Sequence, residues 1–178
     1  MVSFAEPARL SFIFDAEDRE QWQKSSAILQ RMALQPEMVV ADIGAGTGYF
    51  SRLFALTLSG GRVHAIDCEP NMVAHMQQRF AREGLANVSV HLSRVCDPCL
   101  PEIPDWVFLA NVYRFIQERE VFLRRLLAQM GQQTRGLLVD FKGAQAAVSP
   151  TQARAEVQQG GFVVGELATL RRAAACIE

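Results

Sequence analysis

Short apolar runs alternate with longer amphipathic stretches along most of this 178-residue chain. Runs rich in β-branched and aromatic residues predict strands, and stretches with a helical apolar period predict the helices between them. The predicted strands are 38–43, 63–66, 87–92, 106–110 and 136–141, and the predicted helices are 48–58, 70–83, 117–130 and 150–159. Alternation of the two element types predicts an α/β fold, a three-layer sandwich with helices on both faces of a doubly wound sheet.

The two ends of the chain depart from this alternation. Residues 18–34 predict one amphipathic helix before the first strand. Its apolar face is irregular and consists of Trp22, Ile28, Leu29 and Met32. Residues 162–170 and 173–177 predict a terminal pair of strands. The run 96–104 predicts a loop, because its three prolines prevent regular strand pairing.

The turn after the first predicted strand carries the clearest chemical signal. The stretch 39–50 reads VVADIGAGTGYF, with Asp42 placed ahead of Gly44, Gly46 and Gly48. The dinucleotide fingerprint G-x-G-x-x-G requires a third glycine where this chain has Tyr49. An anion just before the turn repels a pyrophosphate and attracts a cationic ligand. The turn therefore favours a cationic, phosphate-free cofactor over NAD.

The segment VADIGAGTGYF resembles motif I of the class I S-adenosylmethionine (SAM)-dependent methyltransferases. Two downstream features are similar to that family: a strand that ends in the acid Asp67, and the run 69–73, which matches the family's xPxM segment. The resemblance covers roughly residues 20–178 and is strongest over 37–75. It implies a Rossmann-like, seven-stranded sheet of order 3-2-1-4-5-7-6 with the last strand antiparallel. It also implies SAM as cofactor and S-adenosylhomocysteine as product.

Cofactor contacts are expected at the carboxyl ends of the central strands, where open α/β sheets bind their ligands. The predicted contacts are Asp42, Gly44, Ala45, Gly46, Gly48, Tyr49, Asp67, Cys68, Asp97 and Asn111. Within this set the resemblance implies that Asp67 accepts the ribose hydroxyls and that Asn111 lies beside the methyl group. Asp97 is the candidate for an adenine contact, since Val95 or Cys96 replaces the acid usual in the family. A helix cap is the alternative role for Asp67.

The methyl acceptor is much less well defined by the sequence. Candidate substrate contacts are Trp22, Tyr113 and Arg114, with simple packing or a helix start as the alternatives. Aromatic faces of Tyr49 or Trp22 could attract a sulfonium. The histidine pair that many relatives carry after the fourth strand is absent, so the catalytic residues are unknown. An in-line displacement depends mainly on positioning and does not require a dedicated base.

Composition is that of one ordinary globular domain, 1–178, in which about 1–35 form a helical segment over the cofactor site. The formal net charge is -1, which predicts no general affinity for nucleic acid or for a membrane. The sequence shows neither a signal peptide nor an apolar run long enough for a membrane span, so a cytoplasmic location with reduced cysteines is expected. No metal site is predicted. A weak alternative role for Cys96 and Cys99 is to hold arsenic.

The sequence as a whole predicts a SAM-dependent methyltransferase with a small-molecule acceptor, acting alone, as a homo-oligomer or with a partner subunit. Three alternatives remain at this point. They are an NAD-dependent oxidoreductase, a degenerate SAM-binding protein that serves as a regulatory or partner subunit, and an arsenic or thiol methyltransferase.

Overall fold

The computed structural model describes residues 4–141, 147–165, 167–170 and 174–177. Its helices are α1 (Pro7–Phe14), α2 (Arg19–Gln23), α3 (Ser25–Met32), α4 (Tyr49–Thr57), α5 (Pro70–Glu83), α6 (Arg119–Gln129) and α7 (Pro150–Gln159). Its strands are β1 (Val39–Ile43), β2 (Arg62–Asp67), β3 (Val88–Leu92), β4 (Trp106–Ala110), β5 (Arg135–Phe141), β6 (Leu167–Leu170) and β7 (Ala174–Ile177). A short 3-10 turn, Tyr113–Phe115, follows β4.

The strands form one sheet in the order β3-β2-β1-β4-β5-β7-β6. Strands β3, β2, β1, β4 and β5 pair in parallel, and β7 pairs antiparallel with both β5 and β6. The predicted α/β class with a parallel sheet is confirmed. Strand order changes direction beside β1 and β4, so the loops after these strands meet at the edge where such sheets bind ligands.

Residues of β1 alternate between the two apolar layers, as the period of a strand requires. Val40 packs in the layer with Phe50 and Phe54 of α4, whereas Ala41 and Ile43 pack in the opposite layer. Asp42 shares the face of Val40 and is therefore directed toward α4. A buried carboxylate thus lies beneath the loop that follows β1.

The predicted helix 18–34 is wrong in its continuity. Lys24 has a left-handed conformation with φ 56, which ends α2 and begins a new helix, α3. Helix α1 precedes them, within the segment of about 1–35 that was expected to be helical but without predicted bounds of its own, and Leu10 is its buried residue. In the terminal strand pair, β6 begins only at Leu167, and position 173 lies outside the described residues.

Candidate functional site

The loop between β1 and α4 is anchored to the end of β2. The amides of Gly44 and Ala45 both donate to the carbonyl oxygen of Ile66, at 2.8 and 3.0 Å. Gly44, Gly46 and Gly48 all have positive φ, at 70, 60 and 84°. Because L side chains rarely adopt this conformation, the spacing of the glycines follows directly from the shape of the loop.

The three glycines differ in what surrounds them. A Cβ on Gly44 would overlap the side chain of Val112, and a Cβ on Gly48 would lie 2.5 Å from a ring carbon of Phe80. A Cβ on Gly46 would meet only the ring of Phe14, at 3.7 Å. Gly44 and Gly48 are therefore required for close packing, whereas a Cβ on Gly46 would make only an ordinary van der Waals contact with Phe14.

Asp42 is buried, with 2% of its surface exposed. The hydroxyl of Ser51 donates to its Oδ2 at 2.6 Å. Removal from water raises the pKa of this carboxyl to about 7, because the single hydroxyl and the more distant Arg19 offset only part of the desolvation. The loop therefore stands above a carboxylate that a cationic ligand would stabilise in its charged form.

Asp67 ends β2 and reaches back to the same loop. Its Oδ2 accepts from the amide of Gly46 at 2.8 Å, and its Oδ1 accepts from the amide of Glu69 at 2.9 Å. The alternative role of helix cap belongs to Glu69, whose side chain accepts from the amide of Asn71 at the start of α5. A carboxylate has about four acceptor positions, so each oxygen of Asp67 retains capacity for a hydroxyl donor. Cys68, predicted beside it, is exposed.

Tyr49 faces a cation that belongs to the protein itself. The guanidinium carbon of Arg19 lies 3.9 Å from the centroid of the Tyr49 ring, and Ser25 Oγ lies within hydrogen-bond distance, 3.0 Å, of the Tyr49 hydroxyl. The expected cation on this ring was a sulfonium, and the structure places a guanidinium there instead. Trp22 is also close, with its ring centroid 5.6 Å from the same guanidinium carbon.

Arg19 was missed by sequence reasoning. It is only 7% exposed, and its Nη1 donates to the carbonyl oxygen of Phe14. Burial lowers the pKa of Arg19 to about 10, which still leaves the group cationic at neutral pH. No local signal distinguishes Arg19 from a solvated arginine, since its burial results from the packing of α1 and α2 over the loop.

Three buried polar atoms around the loop have no hydrogen-bond partner among the described residues. They are Arg19 Nε, Thr47 Oγ1 and Asn111 Oδ1. Asn111 has φ 61, and its Nδ2 donates to Gln23 Oε1 of α2 at 2.8 Å. Buried polar groups are normally satisfied, so unsatisfied donors and acceptors grouped at one loop are typical of a ligand site.

The N-terminal segment, residues 4–24, crosses this edge of the sheet. On one side Ala5 accepts from Asn71 Nδ2 at 2.9 Å, and Asp15 pairs with Arg79 of α5 at 2.8 Å. On the other side the Phe4 ring contacts the Phe115 ring edge to face, with centroids 5.1 Å apart. The segment therefore spans from α5 to the turn after β4 and encloses the loop.

Two of the predicted substrate contacts lie away from this enclosure. Tyr113 is 1% exposed, and its hydroxyl donates to Glu156 Oε2 of α7 at 2.7 Å. Arg114 pairs through Nη1 with the carboxylate of Asp140. The expectation that Tyr113 contacts substrate is corrected, because the 3-10 turn directs this ring into the layer between the sheet and α6. Arg114 forms its ion pair at the end of β5.

The loop after β3 also differs from expectation. Asp97 Oδ1 accepts from the amide of Cys99 at 3.0 Å and from Gln129 Nε2 of α6 at 2.9 Å, so this carboxylate holds the loop to α6. The thiol of Cys96 donates to Glu118 Oε1 at 3.6 Å. Across the described ranges, no group of three or more His, Cys, Asp or Glu side chains could hold a metal ion.

His64 and His91 are not placed to act as a general base at the loop. These two rings lie 3.0 Å apart, Nδ1 of His64 to Nε2 of His91, and His64 Nε2 lies 2.6 Å from Glu102 Oε1. Both therefore belong to a polar cluster on β2 and β3.

In the part of the chain that is described, no helix has the length and apolar character needed to cross a membrane.

The amino-acid sequence was compared with known protein families and proteins, and one family matches. A family model described as a methyltransferase domain matches residues 40–131, just over half of the chain. A protein-L-isoaspartate O-methyltransferase from Aeropyrum pernix is 37% identical over 62 residues, which are 34% of this chain and 24% of that protein. A ribosomal RNA small subunit methyltransferase A from Synechococcus is 35% identical over 68 residues, which are 36% of this chain and 24% of that protein. The matched segment thus spans about a quarter of each curated relative.

A solved structure extends the likeness to nearly the whole chain. A SAM-dependent methyltransferase from Aquifex aeolicus superposes with a TM-score of 0.84 over 99% of this chain and 97% of that chain. Sequence identity in this superposition is 21%, so the likeness establishes the fold alone.

Proposed function

Because this chain belongs to the methyltransferase-domain family, we propose that it is a SAM-dependent methyltransferase acting on a small-molecule acceptor. The observation that carries the proposal is the loop after β1. Two buried carboxylates and three unsatisfied polar atoms surround its glycines. A site with this charge suits a ligand that carries an ammonium and a sulfonium and no phosphate.

Residues of the described site fit such a cofactor. Asp67 has acceptor capacity for ribose hydroxyls and is held against the loop by the amide of Gly46. Asp42 lies beneath the loop, where it would favour the ammonium of the methionine part. When bound, SAM supplies a methyl group on a sulfonium that is already an activated leaving group.

The enclosed site supports a small acceptor. Residues 4–24 contact α5 through Asn71 and Arg79 and contact the chain after β4 through Asn111 and Phe115. A large macromolecule could reach the loop only by displacing these contacts. The curated relatives are named for their own methyl acceptors. Because the matches cover only about a quarter of each relative, they do not identify the acceptor of this chain.

The chain's contribution to catalysis is then positioning. Residues of the loop, Asp67 and the N-terminal segment would hold the two reactants in line and exclude water, which can supply much of the rate of a bimolecular displacement. His64 is hydrogen-bonded to both His91 and Glu102, and neither ring is directed at the loop. An acceptor that is nucleophilic without prior deprotonation, such as a neutral amine or a thiolate, suits this arrangement.

Calorimetric titration tests the proposal directly. We expect the wild-type protein to bind SAM and S-adenosylhomocysteine, and Asp67→Ala to weaken both by at least about tenfold through loss of the ribose hydrogen bonds. Glu120→Ala is the control, because Glu120 is an exposed acid of α6 that lies outside the site. Binding of NAD in place of SAM would overturn the assignment. Absence of binding to either ligand would favour the regulatory or partner subunit.

A further inference from the structure

The amino-acid end of SAM carries two opposite charges, an ammonium and a carboxylate, and the residues assigned above account for only the ammonium. Asp42 and the loop suit the ammonium, whereas the carboxylate requires a cation or a set of donors. We propose that Arg19 binds this carboxylate, so that Arg19 and Asp42 together recognise the amino-acid end of the cofactor. The inference rests on the proposed function and identifies a binding residue that the loop motif does not contain.

The hydrogen bonding of Arg19 is incomplete. A guanidinium has five N–H donors in a planar fork that matches a carboxylate. In the described residues, Arg19 donates to the carbonyl of Phe14, its Nε has no partner, and no carboxylate forms an ion pair with it. A buried cation without an anion is costly, so a ligand anion at this point removes a deficiency that the protein leaves open.

The Arg19 side chain is held at the site before any ligand arrives. Its guanidinium lies over the ring of Tyr49, the first residue of α4 and the neighbour of Gly48. The Tyr49 hydroxyl is in turn hydrogen-bonded with Ser25 of α3. The ring therefore holds the guanidinium at the loop, while Arg19 Nε is left without a hydrogen-bond partner among the described residues.

Charge at the site fits a zwitterion. Asp42 and Arg19 lie close enough that the carboxylate and the guanidinium each favour the charged form of the other. This attraction does not offset the cost of removing the two charges from water, because burial has the largest effect on the pKa of each group. A ligand with adjacent ammonium and carboxylate groups would pair with each in turn, and a ligand with only one of these charges would leave one protein charge buried and unpaired.

A structural role is the competing explanation for Arg19, because its bond to Phe14 also ties α1 to α2. The two roles predict different dependence on the ligand. A carboxylate contact affects only ligands that have a carboxylate, whereas loss of order in the N-terminal segment affects every ligand of the site. Decarboxylated SAM retains the ammonium, the sulfonium and the nucleoside, and so separates the two explanations.

The experiment is calorimetric titration of SAM and of decarboxylated SAM into the wild type and into Arg19→Gln, Arg19→Lys and Arg124→Gln. Arg124 is the matched control, being an exposed arginine of α6 that lies outside the N-terminal segment. We expect the wild type to prefer SAM by roughly 10- to 100-fold, the range of a charge-assisted contact. Arg19→Gln should lose that preference with unchanged affinity for decarboxylated SAM, Arg19→Lys should retain part of it, and Arg124→Gln should behave as the wild type.

Two results would overturn the inference while leaving the proposed function intact. One is an equal loss of affinity for both ligands in Arg19→Gln, which would indicate a structural role. The other is full retention of the preference for SAM in Arg19→Gln. Failure of the wild type to bind either ligand would instead overturn the proposed function, and this inference with it. Unchanged binding of decarboxylated SAM also shows that the Arg19→Gln protein is folded.

Discussion

Replacing Asp42 by Asn should stabilise the fold and weaken the cofactor site at the same time. Asp42 is 2% exposed, and burial raises the pKa of its carboxyl from 3.8 to about 7. The amide of Asn is close in shape, is never charged, and can still accept from Ser51 through its oxygen. The substitution therefore removes a buried negative charge and little else.

The magnitude follows from the pKa shift. Between about pH 4 and pH 7 the folded protein holds a proton on Asp42 that the unfolded chain has released, so wild-type stability falls as pH rises through this window. The rise of the Asp42 pKa from 3.8 to about 7 corresponds to about 4 kcal/mol of stability, at roughly 1.4 kcal/mol for a tenfold change in proton affinity. About 3 kcal/mol of this loss lies between pH 5 and pH 8. Above about pH 8 both states are ionised and the loss is complete.

Urea unfolding at pH 5 and pH 8 measures the effect. We expect the advantage of Asp42→Asn over the wild type to grow by about 3 kcal/mol between the two pH values. Asp18→Asn, an exposed control, should show no such change. At pH 8, Asp42→Asn should bind SAM roughly 10- to 100-fold more weakly than the wild type, since no carboxylate at position 42 pairs with the ammonium. A stability difference independent of pH would refute the reasoning.

Three further substitutions test other parts of the structure. Gly48→Ala should lower the free energy of unfolding by about 2 kcal/mol or more, because its Cβ would lie 2.5 Å from the Phe80 ring at φ 84; a variant as stable as wild type in urea would contradict this packing. Lys24→Gly should raise the free energy of unfolding by about 1 kcal/mol, since φ 56 strains an L residue, and a lower urea midpoint would argue against it. Tyr113→Phe should cost about 1 kcal/mol by leaving Glu156 without the phenol donor, with SAM affinity by calorimetry unchanged; a large loss of affinity would return Tyr113 to the site.

Helices and strands with local signals were predicted closely from the sequence. The prediction 70–83 coincides with α5, because Pro70 starts it and Gly84, with φ 67, ends it. The prediction 106–110 coincides with β4, whose apolar run is bounded by polar residues. Proline, glycine and apolar period act within a few residues, so these boundaries do not depend on the rest of the fold.

The N-terminal segment and the turn after β4 could not be predicted in the same way. Lys24 has no sequence feature that demands a left-handed conformation, and its φ of 56 results from the separate docking of α2 and α3. Tyr113 and Arg114 adjoin a strand end at the site, yet the 3-10 turn directs one toward Glu156 and pairs the other with Asp140. These directions are set by partners that lie more than twenty residues away along the chain.

Strand period and glycine spacing are local properties, so the α/β class, the glycine loop and the acid that ends β2 follow from the amino-acid sequence alone. Which charged groups are buried at the loop, and against which partners, depends on the packing of distant segments. This packing buried Asp42 against α4, so that the pKa of the carboxyl rises to about 7. It also brought Arg19 onto Tyr49 above the loop. Burial of a charge depends on what packs over it. A helical segment over the site was expected from the sequence, whereas the burial of Arg19 within that segment depends on how α1 and α2 pack.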